Sequence, residues 1–220
     1  EGYAGAPPYA LVDNEHSIFD KTDLVFIDPI GTGYSRMVAG EKVKEFHDYQ
    51  RDLESVGEFI RLYTSRNQRW ASPKYIAGES YGTTRACGLA GLLQEKHAMY
   101  MNGLMLISCA LDFQTLRFDH GNDLPPVLFL PTYAATAWYH KALAPTEQKR
   151  KLTDLLREVE AFAAGEYSAA LFAGASLAAP QRAAVVDKLA RYTGLSREYV
   201  ESTNLRINIH RFCKELLRKQ

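Results

Sequence analysis

The stretch KYIAGESYGTTRACGLA, residues 74–90, contains the pattern that decides the predicted fold of this chain. A short apolar run leads into Gly78-Glu79-Ser80-Tyr81-Gly82, and a segment with helical spacing follows directly. A serine with a glycine two residues before it and another two residues after it, between a strand and a helix, is typical of a nucleophile elbow. This sharp turn exposes the serine hydroxyl above a sheet. We expect Gly78 and Gly82 to be required because the turn leaves no room for side chains beside Ser80.

The helix after this turn gives a physical reason for a nucleophile at Ser80. A helix N-terminus has free backbone N–H groups and the positive end of the helix dipole, and both stabilise negative charge. The N–H of Tyr81 is therefore the expected oxyanion donor. A simpler role fits the same residues: Ser80 caps the helix, and the glycines only permit the turn. The pattern leaves both interpretations open.

Three strand-like runs alternate with helical spacing in the first half of the chain, which predicts an α/β fold with a parallel sheet and flanking helices. The first run leads into a glycine-rich loop, and such loops bind ligands at the carboxyl ends of strands in open α/β sheets. Gly33 and Tyr34 of this loop are therefore candidates for substrate binding. The predicted strands are DLVFID (23–28), KYIAGE (74–79) and GLMLISCAL (103–111), and the predicted helices are 41–67 and 81–97.

The pattern changes near residue 120, beyond which helical spacing dominates and no strand is predicted. The stretch HGNDLPPVLFLP, residues 120–131, is predicted to be a loop because of its Gly, Asn and Pro residues. Gly194 is expected to end a helix, and Ser196 to cap a further short one. The sequence therefore predicts two domains, 1–119 and 120–220. Helices are predicted at 132–143, 146–164, 180–193 and 204–219.

Composition excludes several classes of function. The chain has 220 residues, a formal net charge of zero and three cysteines without metal-type spacing. A balanced charge argues against nucleic acid or an anionic membrane as the main partner, since both are bound through a basic surplus. No run of about 18 apolar residues predicts a membrane span. A serine nucleophile at the elbow needs only protein groups, so no metal or organic cofactor is expected.

Three ordered segments resemble the serine carboxypeptidase family of α/β-hydrolases. They are DLVFIDPIGTGYS from residue 23, YIAGESYG from residue 75 and NGLMLISCALDFQT from residue 102. The sequence Gly-Thr-Thr-Arg after the elbow is most similar to the bacterial members. The stretches FLPTYAATAWYH and LARYTGLSREYV resemble the helical insertion that caps the active site in that branch. The resemblance implies a partial α/β-hydrolase core at 1–119 and an all-helical cap at 120–220.

The same resemblance implies roles for individual residues. Ser80 is the acyl-forming nucleophile, and the backbone of Tyr81 supplies an oxyanion donor. Glu79 belongs to a carboxyl network that binds the C-terminal carboxylate of a peptide substrate, which requires a protonated acid because two carboxylates repel. Glu79 alternatively serves only as an acid near a helix N-terminus. The resemblance also implies that the protein is secreted or periplasmic.

The resemblance also implies missing parts. The fold requires an Asp or Glu and then a His after the serine, and family members have them beyond the helical insertion. A Gly-Gly-Pro-Gly-type loop would precede Glu1. The chain therefore resembles an internal fragment that is nearly inert alone, because a serine without a general base is a poor nucleophile. The three expected strands would leave an exposed edge that pairs with other chains or with a missing part of the parent.

Three functions remain open at this stage. The leading one is a serine-type carboxypeptidase that removes C-terminal residues through an acyl-enzyme. A second is an esterase or acyltransferase of the same fold. A third is a non-catalytic interaction module formed by the helical half, with a vestigial serine corner.

Overall fold

The computed structural model describes residues 6–40 and 42–218. These residues form a mostly helical protein with one small parallel sheet, and they pack as two compact units that divide between Cys109 and Ala110. The helix predictions at residues 41 and 219 fall outside the described residues. The sequence-based domains, 1–119 and 120–220, stay a prediction.

The first unit is built on a strand–helix–strand motif. Strands β1 (Tyr75–Glu79) and β2 (Gly103–Ile107) pair in parallel, with Tyr75 opposite Gly103 and Glu79 opposite Ile107. A parallel pair needs a crossover connection, which helix α3 (Tyr81–His97) provides. Before β1 come helices α1 (Val43–Phe46) and α2 (Tyr49–Arg66). This arrangement is a partial α/β layout.

Helix α3 confirms the prediction for 81–97, whereas the helix predicted for 41–67 is divided in two. Asp48 causes the division, because its carboxylate accepts hydrogen bonds from the N–H groups of Gln50 and Arg51 and so begins α2 as an N-cap. The apolar spacing continues across this break, which is why the spacing alone predicts one helix.

Two glycines allow α2 and α3 to pack closely. A Cβ on Gly88 would lie 2.3 Å from the Tyr49 hydroxyl, and one on Gly57 would lie 2.8 Å from a methyl of Leu92. The helices thereby enclose a small apolar core, which also includes part of Ile76 in β1. This core packs β1 against α2 and α3. Its buried members are Leu53, Val56, Leu89, Leu93 and Met99.

The strand predicted for DLVFID is wrong, because residues 23–28 have no strand pairing. Composition favours an extended backbone, but a strand exists only when its N–H and C=O groups pair with a neighbour. Ile27 packs on the core of the first unit, whereas Phe26 is 84% exposed. The described sheet therefore has two strands instead of three.

One face of this sheet is open. Alternate residues of a strand point to opposite faces, so Tyr75 of β1 shares a face with Met105 and Ile107 of β2. These side chains are 62%, 50% and 55% exposed, respectively. The third apolar run is a strand only as far as Ile107.

The described residues of the second unit form helices and connecting loops without a strand, which agrees with the helical spacing predicted beyond residue 120. Its longest helices, α4, α6 and α8, enclose a core that includes Tyr133, Val159 and Leu189, all at most 2% exposed. None of the described helices is both long and apolar enough to cross a membrane. The α-helices are α4 (Leu124–Tyr139), α5 (Pro145–Gln148), α6 (Leu152–Phe162), α7 (Ser168–Ala173), α8 (Ala179–Thr193), α9 (Arg197–Ser202) and α10 (Ile209–Leu216), and a π-helical turn (Ala163–Tyr167) joins α6 to α7.

The loop predicted for 120–131 is also wrong in part, since α4 begins at Leu124. Pro125 and Pro126 lie in its first turn, where backbone N–H groups have no partner within the helix, so proline loses nothing there. Two other predictions are confirmed. Gly194 is left-handed (φ +70°) and ends α8, and the Ser196 hydroxyl accepts a hydrogen bond from the Tyr199 N–H.

Candidate active site

Ser80 occupies a strained turn between β1 and α3. Its backbone angles are φ +54° and ψ −120°, a combination that L-residues other than glycine rarely adopt. Such a residue costs about 1–3 kcal/mol and persists only where its surroundings impose it. One of these surroundings is β2. The Ser80 N–H donates to the carbonyl of Ile107 at 3.0 Å and so continues the sheet pairing one step beyond β1.

The Ser80 side chain does not cap the helix. Ser80 stands at the N-cap position of α3, yet its hydroxyl accepts no hydrogen bond from the first turn, and the residue is exposed. A capping serine has an ordinary extended backbone, as Ser196 does with φ −70° and ψ 153°. The capping interpretation of Ser80 is therefore wrong, and its hydroxyl is presented to solvent at a helix N-terminus.

The two glycines beside Ser80 are not equivalent. A Cβ on Gly78 would lie 2.0 Å from the carbonyl oxygen of Gly82, whereas a Cβ on Gly82 would meet nothing within 4 Å. Gly78 is needed because the first turn of α3 crosses directly over it. The expectation that Gly82 must also lack a side chain is wrong, since its Cβ position points into open space.

The peptide that joins Ser80 to Tyr81 is held from one side only. The Ser80 carbonyl accepts hydrogen bonds from the N–H of Thr83 at 2.9 Å and from the Thr83 hydroxyl at 2.7 Å. Thr83 is buried. The N–H of Tyr81, at the other side of the same peptide, has no hydrogen-bond acceptor among the described residues. It is a free donor beside the Ser80 hydroxyl.

The Tyr81 side chain is held by Asp52 and Arg85. Arg85 Nε donates to Asp52 Oδ2 at 2.8 Å, and the Tyr81 hydroxyl lies 3.5 Å from the same oxygen. The Arg85 guanidinium also lies 5.0 Å from the centre of the Tyr81 ring. Burial raises the pKa of the Tyr81 phenol, and the charge of Asp52 adds to this shift while that of Arg85 opposes it. Sequence reasoning missed Asp52, Thr83 and Arg85.

Glu79 lies next to Ser80 as the last residue of β1. It is exposed and has no hydrogen bond or ion pair with another described side chain. Its carboxyl group is therefore free to meet a ligand at the carboxyl end of the sheet.

Gly33 and Tyr34 contact Asp28 within their own loop. The Tyr34 N–H donates to Asp28 Oδ2 at 2.8 Å, and a Cβ on Gly33 (φ +47°) would lie 2.1 Å from that oxygen. The loop folds back on Asp28, and the Tyr34 side chain is 98% exposed. Among the contacts of the described residues, no hydrogen bond, ion pair or ring contact joins Gly33 or Tyr34 to Glu79 or Ser80.

A general base is not in place among the residues described. No histidine or carboxylate that the structure describes forms a hydrogen bond with Ser80, and His97, the nearest histidine after it in sequence, is the last residue of α3. Asp112, which follows β2, caps a short 3-10 turn by accepting from the Gln114 N–H. No cluster of His, Cys, Asp and Glu in the described part of the chain could hold a metal ion.

Comparisons of the chain with protein-family models, with curated proteins and with solved structures give no match. Membership of the serine carboxypeptidase family therefore stays a prediction.

Proposed function

We propose that Ser80 is the nucleophile of a serine-type carboxypeptidase. The observation that carries this proposal is the strained backbone of Ser80 with an exposed, uncapped hydroxyl, next to the free N–H of Tyr81. A nucleophile elbow requires this conformation at a strand-to-helix corner, whereas a helix cap does not.

The proposed reaction proceeds through an acyl-enzyme. A general base takes the hydroxyl proton as Ser80 Oγ bonds to the scissile carbonyl carbon, and the Tyr81 N–H donates to the resulting oxyanion. The C–N bond then breaks, the leaving amine takes the proton, and water hydrolyses the ester. The proposal requires a histidine base from elsewhere in the protein, since none contacts Ser80 among the described residues.

Exopeptidase specificity rests on Glu79. The side chain is exposed at the carboxyl end of β1 and adjacent to the proposed nucleophile. In its protonated form it would donate a hydrogen bond to the terminal carboxylate of a peptide. An α-amidated substrate, which lacks that carboxylate, should then be a poor substrate.

The first experiment is labelling of the full-length gene product with a fluorophosphonate, which phosphonylates activated serines and releases fluoride. We expect labelling that Ser80→Ala abolishes and Ser108→Ala leaves intact. Ser108 is a matched control, because it is also exposed, follows a parallel strand and has a positive φ of +52°. Absence of labelling in an otherwise folded protein would contradict the proposal and favour a non-catalytic interaction module.

A second assay separates the two hydrolytic functions. A carboxypeptidase releases the free amino acid from an N-acyl dipeptide, and amidation of the C-terminus suppresses this release. An esterase or acyltransferase labels at Ser80 but cleaves only esters or transfers the acyl group to an acceptor other than water.

A further inference from the structure

Thr83 holds the peptide that carries the proposed oxyanion donor. Its hydroxyl and its N–H both donate to the Ser80 carbonyl, at 2.7 Å and 2.9 Å. The C=O and N–H of one peptide lie in a single plane and point in opposite directions. Fixing the Ser80 carbonyl therefore fixes the direction of the Tyr81 N–H.

We propose that Thr83 is a positioning residue that aims and polarises the Tyr81 N–H toward the oxyanion. This inference rests on the proposed function of Ser80. It adds a role for a side chain that touches neither substrate nor the reacting atoms, because Thr83 is completely buried.

The hydroxyl of Thr83 should act mainly in the transition state. When an oxyanion accepts a hydrogen bond from the Tyr81 N–H, the peptide places more negative charge on the Ser80 carbonyl oxygen. Hydrogen bonds in such a chain strengthen one another by about 10–30% each. The Thr83 hydroxyl then binds that oxygen more tightly in the transition state than in the ground state, which raises kcat rather than lowering KM.

The N–H side of this peptide has no such anchor. The Tyr81 N–H has no described acceptor that would hold it in the absence of substrate. The strained ψ of −120° at Ser80 also sets the orientation of this peptide, and relaxation of that angle would turn the N–H away.

The test compares Thr83→Val, which removes the hydroxyl at nearly constant shape, with Thr83→Ser, which keeps it. In the full-length protein we expect Thr83→Val to lower kcat for an N-acyl dipeptide by about tenfold, with KM changed by less than about twofold. Thr83→Ser should restore most of kcat. If Thr83→Val does not unfold cooperatively in urea, Thr83→Ala is measured in its place.

A spectroscopic measurement tests the hydrogen bond without catalysis. With ¹⁵N-labelled tyrosine, we expect the Tyr81 amide nitrogen signal to shift upfield in Thr83→Val and to return in Thr83→Ser, because a bond to the carbonyl deshields the nitrogen of the same peptide. Tyr81→Phe assigns the signal.

The outcomes distinguish the two proposals. If the wild-type protein labels at Ser80 while Thr83→Val keeps full kcat, the role of Thr83 is wrong and the proposed function stands. An unchanged Tyr81 signal in Thr83→Val would also overturn the role of Thr83. If the wild-type protein neither labels nor cleaves, the proposed function is wrong and the oxyanion role of Thr83 falls with it.

Discussion

Gly78 at the end of β1 lies directly under the first turn of α3, so that a Cβ on it would stand 2.0 Å from the carbonyl oxygen of Gly82. The Cβ would clash with backbone atoms, which cannot move away as a flexible side chain can. The turn that contains Ser80 therefore requires a residue without a side chain at position 78.

Gly78→Ala should destabilise the first unit by about 1–3 kcal/mol, because overpacking against backbone forces β1 and α3 apart. Gly82→Ala should be neutral or stabilising by about 0.5–1 kcal/mol, since alanine favours a helix more than glycine does. Urea denaturation of both variants measures the difference. Equal loss of stability in the two variants would contradict the asymmetry.

Replacing Ser80 with glycine should stabilise the chain while it removes the hydroxyl. Glycine adopts φ +54° and ψ −120° without steric cost, so Ser80→Gly should recover about 1 kcal/mol of the strain. Ser80→Ala also removes the hydroxyl but retains a Cβ, and it should stay close to wild type. The urea midpoints of these two variants are the measurement. A glycine variant no more stable than the alanine variant would show that the turn is unstrained.

Asp52→Asn should release Tyr81 and leave Arg85 without its counter-ion. The carboxylate is mostly buried, with 8% of its side chain exposed, and a hydrogen bond to a charged group contributes about 1.5–3 kcal/mol. We expect the first unit to lose stability in this range. The pKa of the Tyr81 phenol should also fall, because Asp52 raises it; ¹³C-tyrosine NMR during alkaline titration measures this change.

Glu54→Gln is the matched control for Asp52→Asn. Glu54 lies on the same helix, but its partners Arg51, at 3.9 Å, and Gln50, at 3.1 Å, are exposed and Glu54 itself is only partly buried. Exposed pairs contribute about 0–1 kcal/mol, so this variant should resemble wild type. Equal effects of the two substitutions would assign the loss to the helix rather than to the contact with Tyr81.

The sequence predicts the parts of this site that depend on neighbouring residues and misses those that depend on packing. Helical spacing and the glycines around Ser80 are local, and they place both α3 and the corner correctly. Asp52 meets Arg85 only because α2 packs on α3, so no spacing between them is informative. The same limit explains residues 23–28, whose strand composition cannot supply a pairing partner, and the prolines of α4, whose effect depends on where the helix begins.

The helical unit should lose stability in acid through Glu147. Burial alone would raise the pKa of its carboxyl group, but hydrogen bonds from Arg191 and Arg150 outweigh burial and hold this pKa below its ordinary value of 4.5. A carboxyl with a lowered folded-state pKa stabilises the fold above its unfolded-state value, and this contribution is lost as the pH falls through the folded-state value. The free energy of unfolding should therefore decline below about pH 4.5.

Glu147→Gln isolates this contribution. At pH 7 it should cost about 2 kcal/mol, since Arg150 and Arg191 lose hydrogen bonds of 2.8 Å and 2.9 Å to a mostly buried carboxylate. The acid decline should be shallower in the variant than in wild type. Glu160→Gln, at an exposed position on α6, serves as the control and should leave both the stability and its pH dependence unchanged. Identical pH profiles of wild type and Glu147→Gln would contradict the assignment.

Tyr167 stabilises an unfavourable turn in the helical unit, where Asn204 and Leu205 have φ of +50° and +66°. Its buried hydroxyl donates to the Leu205 carbonyl, so Tyr167→Phe should leave that carbonyl unpaired at a cost of about 1–3 kcal/mol.

Burial also raises the pKa of Tyr167 above its ordinary value of 10.0. Its contribution is therefore present below about pH 10 and is lost as the pH rises through the folded-state pKa. Urea denaturation at pH 7 and pH 11 measures both effects, and Tyr139→Phe, at a site 74% exposed, is the control. A Tyr167→Phe variant as stable as Tyr139→Phe would mean that the turn does not depend on this hydrogen bond.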